Sequence, residues 1–382
     1  MPTRRSLLQG IGTAVAAPMA WRAAVAAPAV LRASDALSSS GVIHVFAWGD
    51  WFRGNTILAD FEAATGIRVS LSTYGSNEEA ENRLRAAGGR GFDLIFPSLD
   101  TGPNYYRDGL LREIDENRFS PDRVIPAIWR SSITLGATHR GRRHLIPFDW
   151  GTEAITWDGS RLELDPETLS WGDLWRDGLD GRVAIRQKSV FTSLALWLDA
   201  DGRLPSDRAT ALYRDEAEAR RVFDACLAFA LAHRRNIGSW WNDTLEAHAA
   251  FTARGCLIGQ TWDTTGILLH RRVDTRWRYA MPREGGLAWT DTVAIPAGAA
   301  HLDQAYALLD HLFTPAVGAA FTESTGYNSC AVGAEDALGD TARALYRSIY
   351  PPDAIERLWW WPIQTPLFAR LRSEYVERLT HA

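Results

Sequence analysis

Leu287-Ala288-Trp289-Thr290-Asp291-Thr292-Val293-Ala294-Ile295-Pro296 places an indole and a carboxylate two residues apart at the head of an apolar run. In a strand, positions i and i+2 share a face, so Trp289 and Asp291 look into one space. A flat ring beside a negative charge suits an organic cation. A core Trp next to a turn Asp is the plainer reading of the same residues. The pairing recurs, however, in Trp48-Gly49-Asp50-Trp51 and in Trp262-Asp263, each at the end of a strand-like run.

Other chemistries lack their residues. The chain has no G-x-S-x-G, no H-E-x-x-H and no G-x-x-x-x-G-K-[ST]. Its nine histidines have no metal-ligand spacing, and His139 and His144, beside Arg140, Arg142 and Arg143, read as a solvated basic turn. Cys226, Cys256 and Cys330 are odd in number and far apart, which indicates neither a disulfide framework nor a zinc site. No cofactor is expected. A net charge of −5 without basic runs argues against nucleic acid and anionic membranes as partners. Seventeen Trp against three Met is a heavy aromatic load, useful for recognising flat or cationic ligands. Every basic residue is Arg except Lys188.

The elements that must position these residues follow from periodicity. Residues 42–48 form a strand-like run, and 55–65 carry Ile57, Leu58, Phe61 and Ala64 at helical spacing before Gly66 as C-cap. Residues 67–74 alternate as a strand, 77–87 form a charged helix, and 92–97 form a third strand. Strands separated by single helices predict a parallel sheet, with ligands beyond the strands' carboxyl ends. Those ends are 48–51, 72–77 and 97–100. Residues 145–155, broken by Pro147 and Gly151, read as a hinge strand leading to a second α/β set. That set has a helix opened by Ser170 as N-cap, a strand at 181–185, an apolar helix at 191–198, a long helix over 207–233, a helix at 244–251 and a strand at 256–263. Helices at 305–313 and 315–325 follow, and Trp359, Trp360 and Trp361 are read as packing residues. At 382 residues the chain exceeds one core, so two lobes are the expectation.

Residues 1–36 read as an export signal and leader. Arg4 and Arg5 form a twin-arginine pattern, a mildly apolar stretch runs over 10–20, and Ala24-Val25-Ala26 is a small-residue cleavage site. Cleavage there removes Arg4, Arg5 and Arg22 and makes the remainder three charges more acidic. The expected location is a bacterial periplasm.

Four motifs carry a family resemblance: Trp48-Gly49-Asp50-Trp51, T-G-I-x-V-x-x-S-T-Y-x-S-N-E at 65–78, G-x-x-x-D-L-I-x-P-S at 89–98, and E-G-G-x-x-W-x-D-x-x-A-I-P at 284–296. In this order they resemble the spermidine/putrescine-binding proteins of bacterial polyamine ABC importers. The resemblance implies an α/β, two-lobed, type II-like periplasmic binding fold, each lobe a mainly parallel sheet flanked by helices, with the ligand in the cleft. It places residues 41–148 with 289–330 in one lobe and 149–288 with 331–382 in the other. It also implies a monomer, not an enzyme, that delivers a small amine to ABC permease membrane subunits. By resemblance and position, Trp48, Trp51, Trp262, Trp289 and Tyr327 form an aromatic box. Asp50, Asp263 and Asp291 neutralise ammonium groups, and Ser98 and Asp100 add polar contacts. The chain departs from the family at Arg186-Gln187-Lys188, where spermidine binders carry an acidic pair. Lys188 therefore faces solvent, repels an amine, or holds a carboxylate. The last leaves open a zwitterionic ligand such as an opine, betaine or aminophosphonate. A secreted glycoside hydrolase using paired carboxylates is the reading from a different class.

Overall fold

The computed structural model describes residues 41–49, 51–351 and 354–382. The export signal, its cleavage site and Asp50 lie outside the described residues.

The first three strands form as their periodicity predicts. Strand β1 (Gly41–Trp48) pairs in parallel with β2 (Ile67–Tyr74) and with β3 (Leu94–Ile95). Helix α1 (Ile57–Thr65) stops at Gly66, whose φ of 74° supplies the left-handed C-cap that a Cβ disfavours. Helix α2 (Asn77–Ala86) starts at Ser76, whose hydroxyl accepts from Glu79 N–H. The third strand is shorter than predicted, ending at Ile95.

Strand β4 (Ile146–Asp158) forms from the extended stretch expected at 145–155 and is buried along its whole length. The reason is its pairing. Strands β5 (Val183–Arg186), β6 (Ile237–Trp241), β7 (Ile258–Trp262), β8 (Trp277–Ala280), β9 (Leu287–Val293), β10 (Asn328–Ser329) and β11 (Trp359–Trp360) share one sheet with it, and β7, β8, β9 and β10 all pair with β4 directly. Those four pairings are antiparallel, while β5 pairs in parallel with β6 and β7, so this sheet is mixed rather than mainly parallel.

Past its pairing with β4, the chain of β9 runs on to the three-stranded sheet, where Ala294 exchanges backbone hydrogen bonds with Ile95 at 2.8 and 2.9 Å. The β9 segment thus links the two sheets, and Asp291, near its end, stands at the link, bridged to Ser98. The other face of β4 is apolar: Phe148 and Trp150 pack into a core with Phe61, Leu94 and Leu309. A second core gathers Ile185, Phe191 and Phe223 with Phe368, using helices α3 (Val190–Ala200) and α4 (Glu216–Ala232) and a later helix that completes it.

Three expectations change. The helix predicted over 207–233 begins at Glu216, because Asp207, Arg208 and Ala209 take positive φ and Asp215 caps the true start. The turn at Ser170 is a short 3-10 segment, Trp171–Trp175. Arg143 is not solvated: it is buried, sits 3.4 Å over the Trp129 ring and donates to Ser132 Oγ. Further helices include α5 (Thr244–Thr252), α6 (Asp263–Leu268), α7 (Leu302–Leu312), α8 (Pro315–Thr325) and α9 (Pro366–Thr380). Trp359 and Trp361 are buried, as packing residues should be. Cys226, Cys256 and Cys330 are buried free thiols. Among the described residues, no helix is long and apolar enough to cross a membrane.

Candidate functional site

Side chains alternate along β4, so Asp149, Gly151 and Glu153 share the face turned away from the Phe148 and Trp150 core. Opposite them, β9 sets Leu287 against Glu153, Trp289 against Gly151 and Asp291 against Asp149. The predicted sharing of one face by Trp289 and Asp291 therefore holds. Gly151 is required there: a Cβ would sit 2.2 Å from Cζ2 of the Trp289 ring.

Asp149 and Asp291 form an acidic pole. Asp291 accepts a hydrogen bond from Ser98 Oγ, and Ser98 is itself held by Asn77, through Nδ2 to Oγ at 2.9 Å and from Ser98 N–H to Oδ1 at 3.0 Å. Ser98 thus orients the carboxylate. Around the pole stand aromatic rings. Trp48 Nε1 donates to Phe96 O at 3.0 Å, the Tyr74 hydroxyl donates to the same oxygen, and the two rings lie 4.8 Å apart. Burial, with Tyr105 and the charges of Asp291 and Asp149, pushes the Tyr74 hydroxyl far above its ordinary range, so it stays a neutral donor. Tyr327 immediately precedes β10, which pairs with β4 at Asp149 and Trp150.

A second pole of opposite character lies at Glu153, four residues further along the same face. Glu153 is fully buried and receives Arg186, the Ser189 hydroxyl and Gln260 Nε2, the last at 3.2 Å. The Arg186 guanidinium covers Trp262 at 4.5 Å, and Trp262 meets Trp289 edge to face at 6.3 Å. Lys188 is half-buried, its Nζ 5.6 Å from the Trp361 ring centre. Burial lowers its pKa first, then Arg186 and Arg372, against opposing pulls from Asp100 and Glu153. Asp100 accepts from Gln364 Nε2 at 2.7 Å, and Gln364 Oε1 accepts from Arg372 at 3.1 Å.

The single aromatic box expected from sequence is therefore divided: Trp48 stands with Tyr74 near the acidic pole, Tyr327 has its ring centre 6.5 Å from that of Trp51, Trp289 lies opposite Gly151, and Trp262 lies opposite Glu153 at the second pole. Two expectations are corrected. Trp51 is enclosed by Phe96, Phe148 and Phe321 at 5.0 to 5.6 Å ring separations within that cluster and is 2% exposed, so it packs the core instead of forming a platform. Asp263 is fully buried, and its oxygens accept from Thr152 N–H, Thr264 N–H, the Tyr350 hydroxyl and Asn328 Nδ2. With no exposed surface it does not face a ligand, and burial raises its pKa to about 7 despite those donors. Sequence reasoning missed Asp149, Glu153, Arg186 and Arg372. Asp149 and Glu153 had a signal: two carboxylates four residues apart in an otherwise apolar extended run lie on one face. Among the described residues, no group of His, Cys, Asp and Glu has the arrangement of a metal site.

The family described as bacterial extracellular solute-binding protein matches residues 56–342. The spermidine/putrescine-binding periplasmic protein of Escherichia coli K12 is 24% identical over 345 residues, covering 89% of this chain and 92% of the relative. The putrescine-binding periplasmic protein PotF of the same organism is 25% identical over 367 residues, covering 92% and 95%. Among solved structures, the PotD substrate-binding protein of a spermidine/putrescine ABC transporter from Streptococcus pneumoniae superposes with a TM-score of 0.74 at 21% identity, over 90% of this chain and 99% of that one. That likeness establishes the two-lobed periplasmic binding fold.

Proposed function

Since the chain belongs to the bacterial extracellular solute-binding proteins, we propose that it captures a small organic amine in the periplasm and delivers it to the membrane subunits of an ABC importer. The observation that carries this reading is the Asp149 and Asp291 pair, two carboxylates directly opposite in one ladder beside aromatic rings. Two carboxylates on one face offer an ammonium group charge-assisted hydrogen bonds. Rings nearby add cation–π attraction of about 0.5 to 2 kcal/mol each when water is excluded. The names of the relatives, which specify spermidine and putrescine, support the ligand class. The family binds solutes without transforming them, which sets the glycoside hydrolase reading aside.

In this reading the lobes are 41–148 with 289–330 and 149–288 with 331–382, and the protein acts as a monomer without nucleic-acid partners. Titration calorimetry with putrescine and spermidine tests it. Heat of binding that Asp291→Asn abolishes supports the acidic pole, and no heat from any amine refutes it. Export by the twin-arginine route is tested separately by fusing residues 1–36 to a reporter. Export must fail when Arg4 and Arg5 are both changed to Lys.

A further inference from the structure

The charges at the second pole do not match a ligand that is cationic at both ends. Arg186, Lys188 and Arg372 act on one another there; the carboxylates that pull on Lys188 are Asp100 and Glu153, and those that pull on Arg372 are Asp100 and Glu78. Glu153 is consumed by Arg186, Ser189 and Gln260, and Asp100 by Gln364. Among the described residues, no carboxylate lies within ion-pair distance of Lys188 Nζ, which rests over the Trp361 ring instead. The Nε of Arg186 is also buried without a hydrogen-bond partner among the described residues. A cation left half-desolvated without an anion is costly to hold, and a second ammonium group placed beside it raises that cost. An incoming anion lowers it.

We propose that the ligand bears a carboxylate as well as an amine, and that Lys188, with Arg186 and Arg372 behind it, receives the carboxylate while Asp149 and Asp291 hold the ammonium. This rests on the amine-binding reading of the acidic pole. The spacing narrows the class further. Asp149 and Glu153 are four residues apart on one strand, on the order of 13 Å between their backbones, so the two charged groups of the ligand are separated by a chain of several bonds. An α-amino acid is too short. Trp262 and Trp289, edge to face, offer apolar cover to that chain. The ligand class is the ω-amino acids and their longer relatives.

Matched pairs test this on the full chain by titration calorimetry: 4-aminobutyrate against putrescine, 5-aminopentanoate against cadaverine, and 6-aminohexanoate against 1,6-diaminohexane. Each pair differs only in one terminal group. The proposal expects the best ω-amino acid to bind at least tenfold more tightly than its diamine. Lys188→Gln should remove that preference by weakening the amino acid and leaving or improving the diamine, and Lys188→Arg should restore it. Diamines binding more tightly, with a preference unmoved by Lys188→Gln, would overturn the carboxylate pole and leave the amine reading standing. Binding by neither series would overturn both.

Discussion

Asp149 and Asp291 stand directly opposite each other across the antiparallel β4–β9 ladder, with Ser98 fixing the second carboxylate through its hydroxyl. The β9 segment runs on from this point to the three-stranded sheet. Two carboxylates on one face can share an ammonium group, and four measurements follow from the pair and its surroundings.

Removing the charge at Asp291 while keeping its shape leaves a bound ammonium underpaired. Truncating one partner of a buried charged pair costs about 2 to 5 kcal/mol, so Asp291→Asn should weaken the best amine ligand by a factor of about 30 or more. A change within roughly 0.5 kcal/mol, as for a surface position, would show that the acidic pole does not touch the ligand.

Asp149→Asn should weaken the same ligand, and the double variant should lose less than the sum of the two single losses, because neighbouring groups that share one partner are not additive. Calorimetry on the four proteins of the cycle measures this. Strict additivity would mean that the carboxylates act on separate groups.

Gly151→Ala forces a methyl group into the Trp289 ring. Overpacking of this kind costs about 1 to 3 kcal/mol of stability, read by urea denaturation. The displaced indole should also weaken binding at least several-fold in protein that remains folded. Unchanged affinity would remove Trp289 from the binding surface.

Asp263 governs pH dependence. Its carboxyl is raised from 3.8 to about 7 by burial, so folding takes up a proton between those values. The stabilising contribution is complete below about pH 4 and is lost as pH rises towards 7, by an amount on the order of 4 kcal/mol. Asp263→Asn mimics the neutral acid and should flatten this part of the profile in chemical denaturation series from pH 4 to pH 8. Parallel profiles for the two proteins would show that the carboxylate is not held neutral.

Local pattern alone determined much of this protein. Alternation placed Trp289 and Asp291 on one face, because a strand has period two whatever it packs against. The βαβαβ rhythm of residues 41–97 set the parallel pairing of the first sheet, and Gly66 set the end of a helix by its tolerance of positive φ. The same arithmetic separates the two indole–carboxylate pairs. Residues two apart share a face, whereas Trp262 and Asp263 are adjacent, so one ends a strand and the other turns inward to begin a helix.

Tertiary structure alone decided the rest, since it depends on register and burial between segments far apart in the chain. Nothing near Asp149 announces that Asp291 will be its cross-strand partner; the β4–β9 register brings them together. Trp51 looks like a platform until Phe96, Phe148 and Phe321 close around it. Lys188 is one lysine in a loop by sequence, with Arg186 two residues before it, and its surroundings are set only when Arg372, Asp100 and Glu153 converge on it from three separate stretches. Charge acts through space and is cut off by solvent, so its meaning is set by which groups the fold buries together.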